Sequence, residues 1–143
     1  LAKDGKEIKS QTLNIPKGFF IYGKLRPYLN KYWINETDFN NIICSSEFFV
    51  FKIKDNINKE YFKYVLSSRI IQNQIADKTS GARMPRINED IFYDLQFPLP
   101  PINEQNIIAN NIDIMKQSLL NNKTRLSAII QEAEQEFEKQ IFG

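Results

Sequence analysis

The chain contains no histidine and a single cysteine, Cys44, among its 143 residues. The first absence removes the commonest acid-base and metal-ligating side chain, so a conventional zinc site is not expected. The second leaves no partner for an internal disulfide and makes a cytoplasmic setting the expectation. Glycine is sparse as well, with five residues. They form neither a G-x-G cluster nor a P-loop, and the glycine-rich strand-to-helix turn of a cofactor-binding methyltransferase core is missing. The longest apolar runs span only a few residues, as at Phe48 to Phe51, so neither a membrane span nor a secretory signal is expected. Asp38, Glu47 and Asp55 carry carboxylates that could hold magnesium, but no spacing groups them, and they read as solvated surface acids. Catalysis by this chain is not expected.

What is present is the composition of a folded protein, 42% hydrophobic and 25% charged, with enough length for one domain and an appendage. The net charge of +2 decides little, but its distribution is uneven. Residues 1–103 hold 15 Lys/Arg against 11 Asp/Glu, whereas residues 104–143 hold 4 against 6. Two stretches lack acids altogether: residues 8–35, with Lys9, Lys17, Lys24, Arg26 and Lys31, and residues 78–87, with Lys78, Arg83 and Arg86.

The first half has the pattern of strands and turns. "GFFIYG" is aromatic and β-branched between glycines, and "EFFVFKI" alternates Phe49, Phe51 and Ile53 against Phe48, Val50 and Lys52, as half-buried strands do. Pro27 puts Lys24 to Tyr28 on a turn or an edge. From an Asn58 cap, Phe62, Val65, Leu66, Ile70 or Ile71, and Ile75 predict one helix of about five turns to Lys78. "TSGARMPRI", broken by Gly81 and Pro85, predicts a loop, and a short helical turn follows from Asn88 with Glu89 and Asp90. Pro98, Pro100 and Pro101 force "LQFPLPP" to be extended. The final segment predicts a long helix capped by Asn103, with Ile102 and Ile107 as a hydrophobic staple. Its heptad-like stripe is Ile108, Ile112, Met115, Leu119, Leu126, Ile129 or Ile130, Ala133 and Phe137, with Asn122 intruding. Continuous to Phe142, it would be roughly 58 Å long. A domain of this size cannot cover it all, so the stripe predicts a helical partner, from the same larger protein, a second copy or another chain.

Two segments could meet nucleic acid. In "KLRPYLNKYW", Lys24, Arg26 and Lys31 can neutralise phosphates while Tyr28, Tyr32 and Trp33 offer flat faces or hydroxyls. A strand and turn with aromatic core residues fits that stretch equally, and Trp33 is expected to be buried. In "KTSGARMPRI", Thr79, Ser80, Arg83 and Arg86 supply hydroxyl and guanidinium donors for phosphates or a guanine edge. A helix-to-strand connection that happens to be basic fits that stretch as well, with Met84 and Ile87 packed inward.

Three segments in order carry a family resemblance: "GFFIYGKLRPYLNKYW", "TSGARMPRINEDIFYDLQFPLPPINEQNIIANNI" and "EFEKQIFG". The middle one is long and specific. Together they resemble the target recognition domain and following spacer helix of specificity subunits of type I restriction-modification systems. The resemblance implies an α+β fold: a small mixed target recognition domain over residues 1–101, as its distal portion, then a long coiled-coil-like spacer or dimerisation helix over residues 102–143. It implies further residues before Leu1. It also implies a non-catalytic subunit that reads half of a split site on double-stranded DNA and brings it to methyltransferase and restriction subunits. S-adenosylmethionine, ATP and magnesium would belong to those partners and not to this chain. Lys24, Arg26, Tyr28, Lys31, Thr79, Ser80, Arg83 and Arg86 then become the expected DNA-facing residues, and the stripe on the helix the expected surface for a second recognition domain or a homodimer. Glu104 and Gln105 match the start of the spacer helix, where a structural role is implied, and the proline run becomes a stiff exit that aims it. Two other readings stay open: an interaction module that oligomerises through its helix, and a recognition domain detached from a single-chain methyltransferase or restriction enzyme.

Overall fold

The computed structural model describes residues 11–39, 41–79 and 83–143. It is an α+β protein in which short antiparallel strands precede four helices. Strand β2 (Phe20–Gly23) lies between β3 (Tyr32–Ile34) and β5 (Phe48–Phe51), with Phe20 opposite Ile34 on one side and Phe51 on the other. A separate ribbon pairs β1 (Thr12–Asn14) with β4 (Ile43–Ser45). Both expected strands form, although the β2 strand starts only after Gly18, whose φ of 82° turns the chain where a side chain would be strained. Buried Asn35 ties this corner together: its amide donates to the Ile15 carbonyl at 2.8 Å and its oxygen accepts from Thr37.

One face of this sheet builds the core. Phe20 stacks on Phe51 at 5.7 Å and meets the Phe62 ring edge-on at 5.5 Å, while Phe49 stacks on Phe92 at 4.5 Å. Ring pairs in such geometries add to the stabilisation from area alone. The helices α1 (Lys59–Ser67) and α2 (Arg69–Thr79) contribute Phe62, Val65, Leu66, Ile71 and Ile75, and the short α3 (Glu89–Tyr93) contributes Phe92.

Two helix boundaries differ from expectation. The single helix predicted from Asn58 to Lys78 is broken at Ser68, which is extended, with ψ 153°. The Ser68 hydroxyl accepts from the Ile71 amide and so caps a second helix, while Gln72 satisfies the Leu66 carbonyl left by the break. The apolar period runs through the break because α1 and α2 both bury one face against the same core. The last helix, α4 (Ile102–Phe142), is capped by Pro101 and not Asn103. Pro101 already has the φ that a helix entry needs, and its carbonyl accepts from the amides of Glu104 and Gln105. Ile102 and Ile107 are both exposed and form no staple. Asn58 and Asn88 do cap, accepting from Tyr61 at 2.8 Å and Ile91 at 2.9 Å. With 41 residues, α4 is about 61 Å long. Among the described residues, no helix is long and apolar enough to cross a membrane.

Candidate nucleic-acid interface

The two basic segments, about sixty residues apart in the chain, are hydrogen-bonded to each other. Leu25 and Arg86 form an antiparallel bridge; the Arg26 amide donates to the Pro85 carbonyl at 2.8 Å and the Ile87 amide to the Lys24 carbonyl at 3.0 Å. This pairing extends the end of β2 outward and buries Ile87 beneath it. At the same point Arg26 adopts a left-handed conformation, φ 51° and ψ 60°. The following Pro27 disfavours a right-handed helical residue there and favours extended backbone; the left-handed turn coincides with the Arg26–Pro85 hydrogen bond. A one-turn 3-10 helix, Pro27–Leu29, then presents Tyr28 and Leu29 to solvent, and Asn30, also left-handed, closes it. The Asn30 amide donates to the Ser67 hydroxyl at 2.7 Å, anchoring the turn to α1.

Arg26, Lys31 and Arg86 thus come together, whereas Lys24 alternates to the other face, beside a depression lined by Phe49, Glu89 and Tyr93. A shallow depression is lined by Gly23, Leu25, Arg26, Lys31, Glu47 and Phe48. The Arg86 guanidinium pairs with the Glu47 carboxylate at 2.6 Å on its rim. Arg26 extends past Met84, its Nη2 3.7 Å from the sulfur. Lys24 lies 4.8 Å from the centre of the Phe49 ring, so part of its charge is held against the sheet. It also draws down the thiol of nearby Cys44, although burial has the larger effect and leaves that thiol above its ordinary value. Arg83 is exposed. Thr79 ends α2, and its hydroxyl donates back to the Ile75 carbonyl at 2.8 Å, which leaves it only as an acceptor. Ser80 and Gly81 lie outside the described residues.

Three expectations about this surface are corrected. Trp33 is 41% exposed, because β3 is an edge strand and its alternate residue points away from the core. Met84 is 57% exposed beside Arg26, and only Ile87 of that pair packs inward. Glu47 was expected to be a solvated acid and instead pairs with Arg86. Neither the Glu47 pairing nor the anchoring role of Asn30 carries a local sequence signal, since both depend on chain crossings.

On α4, Ile112 is half-buried, while Ile108, Met115, Leu119, Leu126, Ile129, Ala133 and Phe137 are exposed. The first turns of the helix instead bury Gln105 and Ala109. An α+β body with an apposed basic surface and a long, largely uncovered helix is the architecture of a DNA specificity domain. The model of the type I restriction modification DNA specificity domain matches residues 2–131, and the chain belongs to that family. Among individual proteins, it is similar to the specificity subunit of the type I restriction enzyme EcoBI of Escherichia coli, with 27% identity over 124 residues, 82% of this chain and 25% of that subunit. The HsdS subunit from Thermoanaerobacter tengcongensis superposes with a TM-score of 0.71 at 26% identity, covering 89% of this chain and 33% of that one. A chain from a type I R-M system, solved to describe complex assembly and conformational transition, gives a TM-score of 0.73 at 25% identity, covering 95% and 35%. The chain therefore spans about a quarter to a third of the length of these relatives.

Proposed function

We propose that this chain is the recognition portion, or half-subunit, of a type I specificity subunit. It reads double-stranded DNA through the surface that carries Arg26, Tyr28, Lys31, Arg83 and Arg86, with Thr79 at its border and Lys24 on the adjoining face. Methylation and cleavage belong to methyltransferase and restriction subunits that it positions on the target. The observation that carries this reading is the bridge between residues 24–26 and 85–87, which brings basic side chains of two distant segments together. Backbone contacts by lysine and arginine fix the register, and side chains on the turn and loop then meet base edges in the major groove. The family match supports the same reading. With about four to six phosphate contacts, the slope of log K against log salt should lie near −4 to −5. Titration of a labelled duplex across a salt series measures it, and a flat slope would overturn the proposal.

The exposed stripe of α4 favours a second role, docking to another helix. A pure interaction module would use that stripe and bind duplex DNA no better than any weakly basic protein. Mixing the chain with duplex at moderate salt separates this alternative from the first.

A further inference from the structure

We infer that Gln105 and Tyr64 are positioning residues that fix the direction in which α4 leaves the body. Gln105 is fully buried. Its Oε1 accepts from the Asn58 amide at 2.8 Å, and its Nε2 donates to the carbonyls of Asn56 at 3.0 Å and Pro100 at 2.8 Å. One side chain therefore joins the turn before α1, the capping residue of α1 and the proline run. Beside it Asn58 donates to Asn106 at 2.7 Å, and the hydroxyl of Tyr61 donates to the Pro98 carbonyl at 2.8 Å. Ala109, one turn on, is buried and small enough to let the two helices approach closely. A further turn along, the Tyr64 hydroxyl donates to the Asp113 carboxylate, and the Lys116 ammonium sits 4.0 Å from the centre of the Tyr64 ring.

The contacts on α1 at Asn58, Tyr61 and Tyr64 share one side of that helix. The spacing between the two clamps on α4 sets how firmly it is aimed. Gln105 alone would be a pivot. Gln105 and Asp113 are about 12 Å apart along the axis, so about 1 Å of play at the second clamp turns the helix by only about 5° and moves its far end about 5 Å. The prolines fix φ but leave ψ free, so they stiffen the exit without choosing its direction. At its other end α1 is tied to the basic turn: Asn30 donates to Ser67, which donates to the Lys63 carbonyl at 2.9 Å. Helix α1 is thus a strut between the candidate DNA surface and the helix. Its importance for spacing two half-sites rests on the proposed function; the geometric claim does not.

The test places nitroxide labels at Lys54→Cys and Lys123→Cys in a Cys44→Ser background of the full chain. Labelled protein is diluted with unlabelled chain, so that pulsed dipolar spectroscopy reads only intramolecular distances. The parent should give one narrow distribution. Tyr64→Phe, which loses only the hydroxyl, and Asp113→Ala should both broaden it. Asp113→Asn keeps an acceptor and should restore the narrow form, a rescue that loss of packing would not produce. Gln105→Ala should broaden it most; if that variant does not fold, Tyr64→Phe and Asp113→Ala decide. Parent-like distributions for both would overturn the inference. Duplex binding measured on the same proteins stands apart: absence of binding in the parent sinks the proposed function and leaves the distance result intact.

Discussion

The two parts of α4 make an instructive pair. Residues 102–113 and residues 114–142 both carry apolar side chains at helical spacing, but only in the first part are any of them buried. There Gln105 and Ala109 are buried and Ile112 is half-buried, whereas Met115 and Leu119 further on are 67% and 68% exposed. Periodicity announces that a helix will bury a face; what covers that face depends on the neighbours available. It is also notable that the best-buried side chain of the anchored part is an amide. Direction is set by hydrogen bonds, whereas the distal stripe offers only apolar area.

The largest expected contrast is in stability. Phe20→Ala in the body should cost about 3–5 kcal/mol in urea denaturation, as large-to-small core changes do. Leu126→Ala on the distal helix should stay within about 0.5 kcal/mol for the isolated chain at low concentration. A comparable cost at Leu126, growing with protein concentration, would show the distal stripe covered by a second copy. The next contrast concerns DNA. Arg83→Ala with Arg86→Ala should reduce the steepness of the salt slope by about 2, while Lys123→Ala with Arg125→Ala on the helix should leave it nearly unchanged. Equal effects from the two pairs would assign binding to bulk charge and remove the case for a reading surface on the body.

Alkaline titration probes the boundary between the two parts. The Asp113 carboxylate that accepts from Tyr64, aided by burial, pushes this phenol up to about 12 from an ordinary 10.0. The folded state holds this proton more tightly than the unfolded chain. The stabilisation is therefore complete below the unfolded value of 10.0 and is lost as pH rises through about 12. The stability difference between the parent and Tyr64→Phe should accordingly shrink over that interval in denaturation series. A constant difference would sever the Tyr64 link. Smallest of all is the effect of Glu47→Gln. An ion pair this exposed contributes roughly 0–1 kcal/mol to folding, so the thermal midpoint should barely move. Duplex affinity at low salt should rise modestly in a binding titration, because Arg86 no longer has a carboxylate competing with phosphate.

Much of the scaffold was legible where it is local. The Asn58 and Asn88 caps, the two aromatic strands, the extended proline run and the long helix each follow from a few adjacent residues. The break at Ser68 was hidden because the apolar spacing continues across it, although serine is itself a favoured cap. Strands β1 and β4 are too short, at three residues each, to carry a periodic signal. The candidate surface was legible as residue types in two segments, but not as an arrangement. Backbone hydrogen bonds between Lys24, Arg26, Pro85 and Ile87 leave no mark on side-chain identity. The resemblance marked Gln105 as structural; only its three backbone partners explain how.

The interruption at Ser68 also bears on how the molecule could be altered. Because α1 ends there and α2 begins with its own cap, α2 and residues 83–86 beyond it are not in helical continuity with the strut. An insertion, deletion or exchange in that segment changes no residue in the Gln105 and Tyr64 clamps and needs no rotation of α1. Exchanges there can therefore alter the basic surface while preserving where the long helix points, provided the Leu25–Arg86 bridge is rebuilt at the seam.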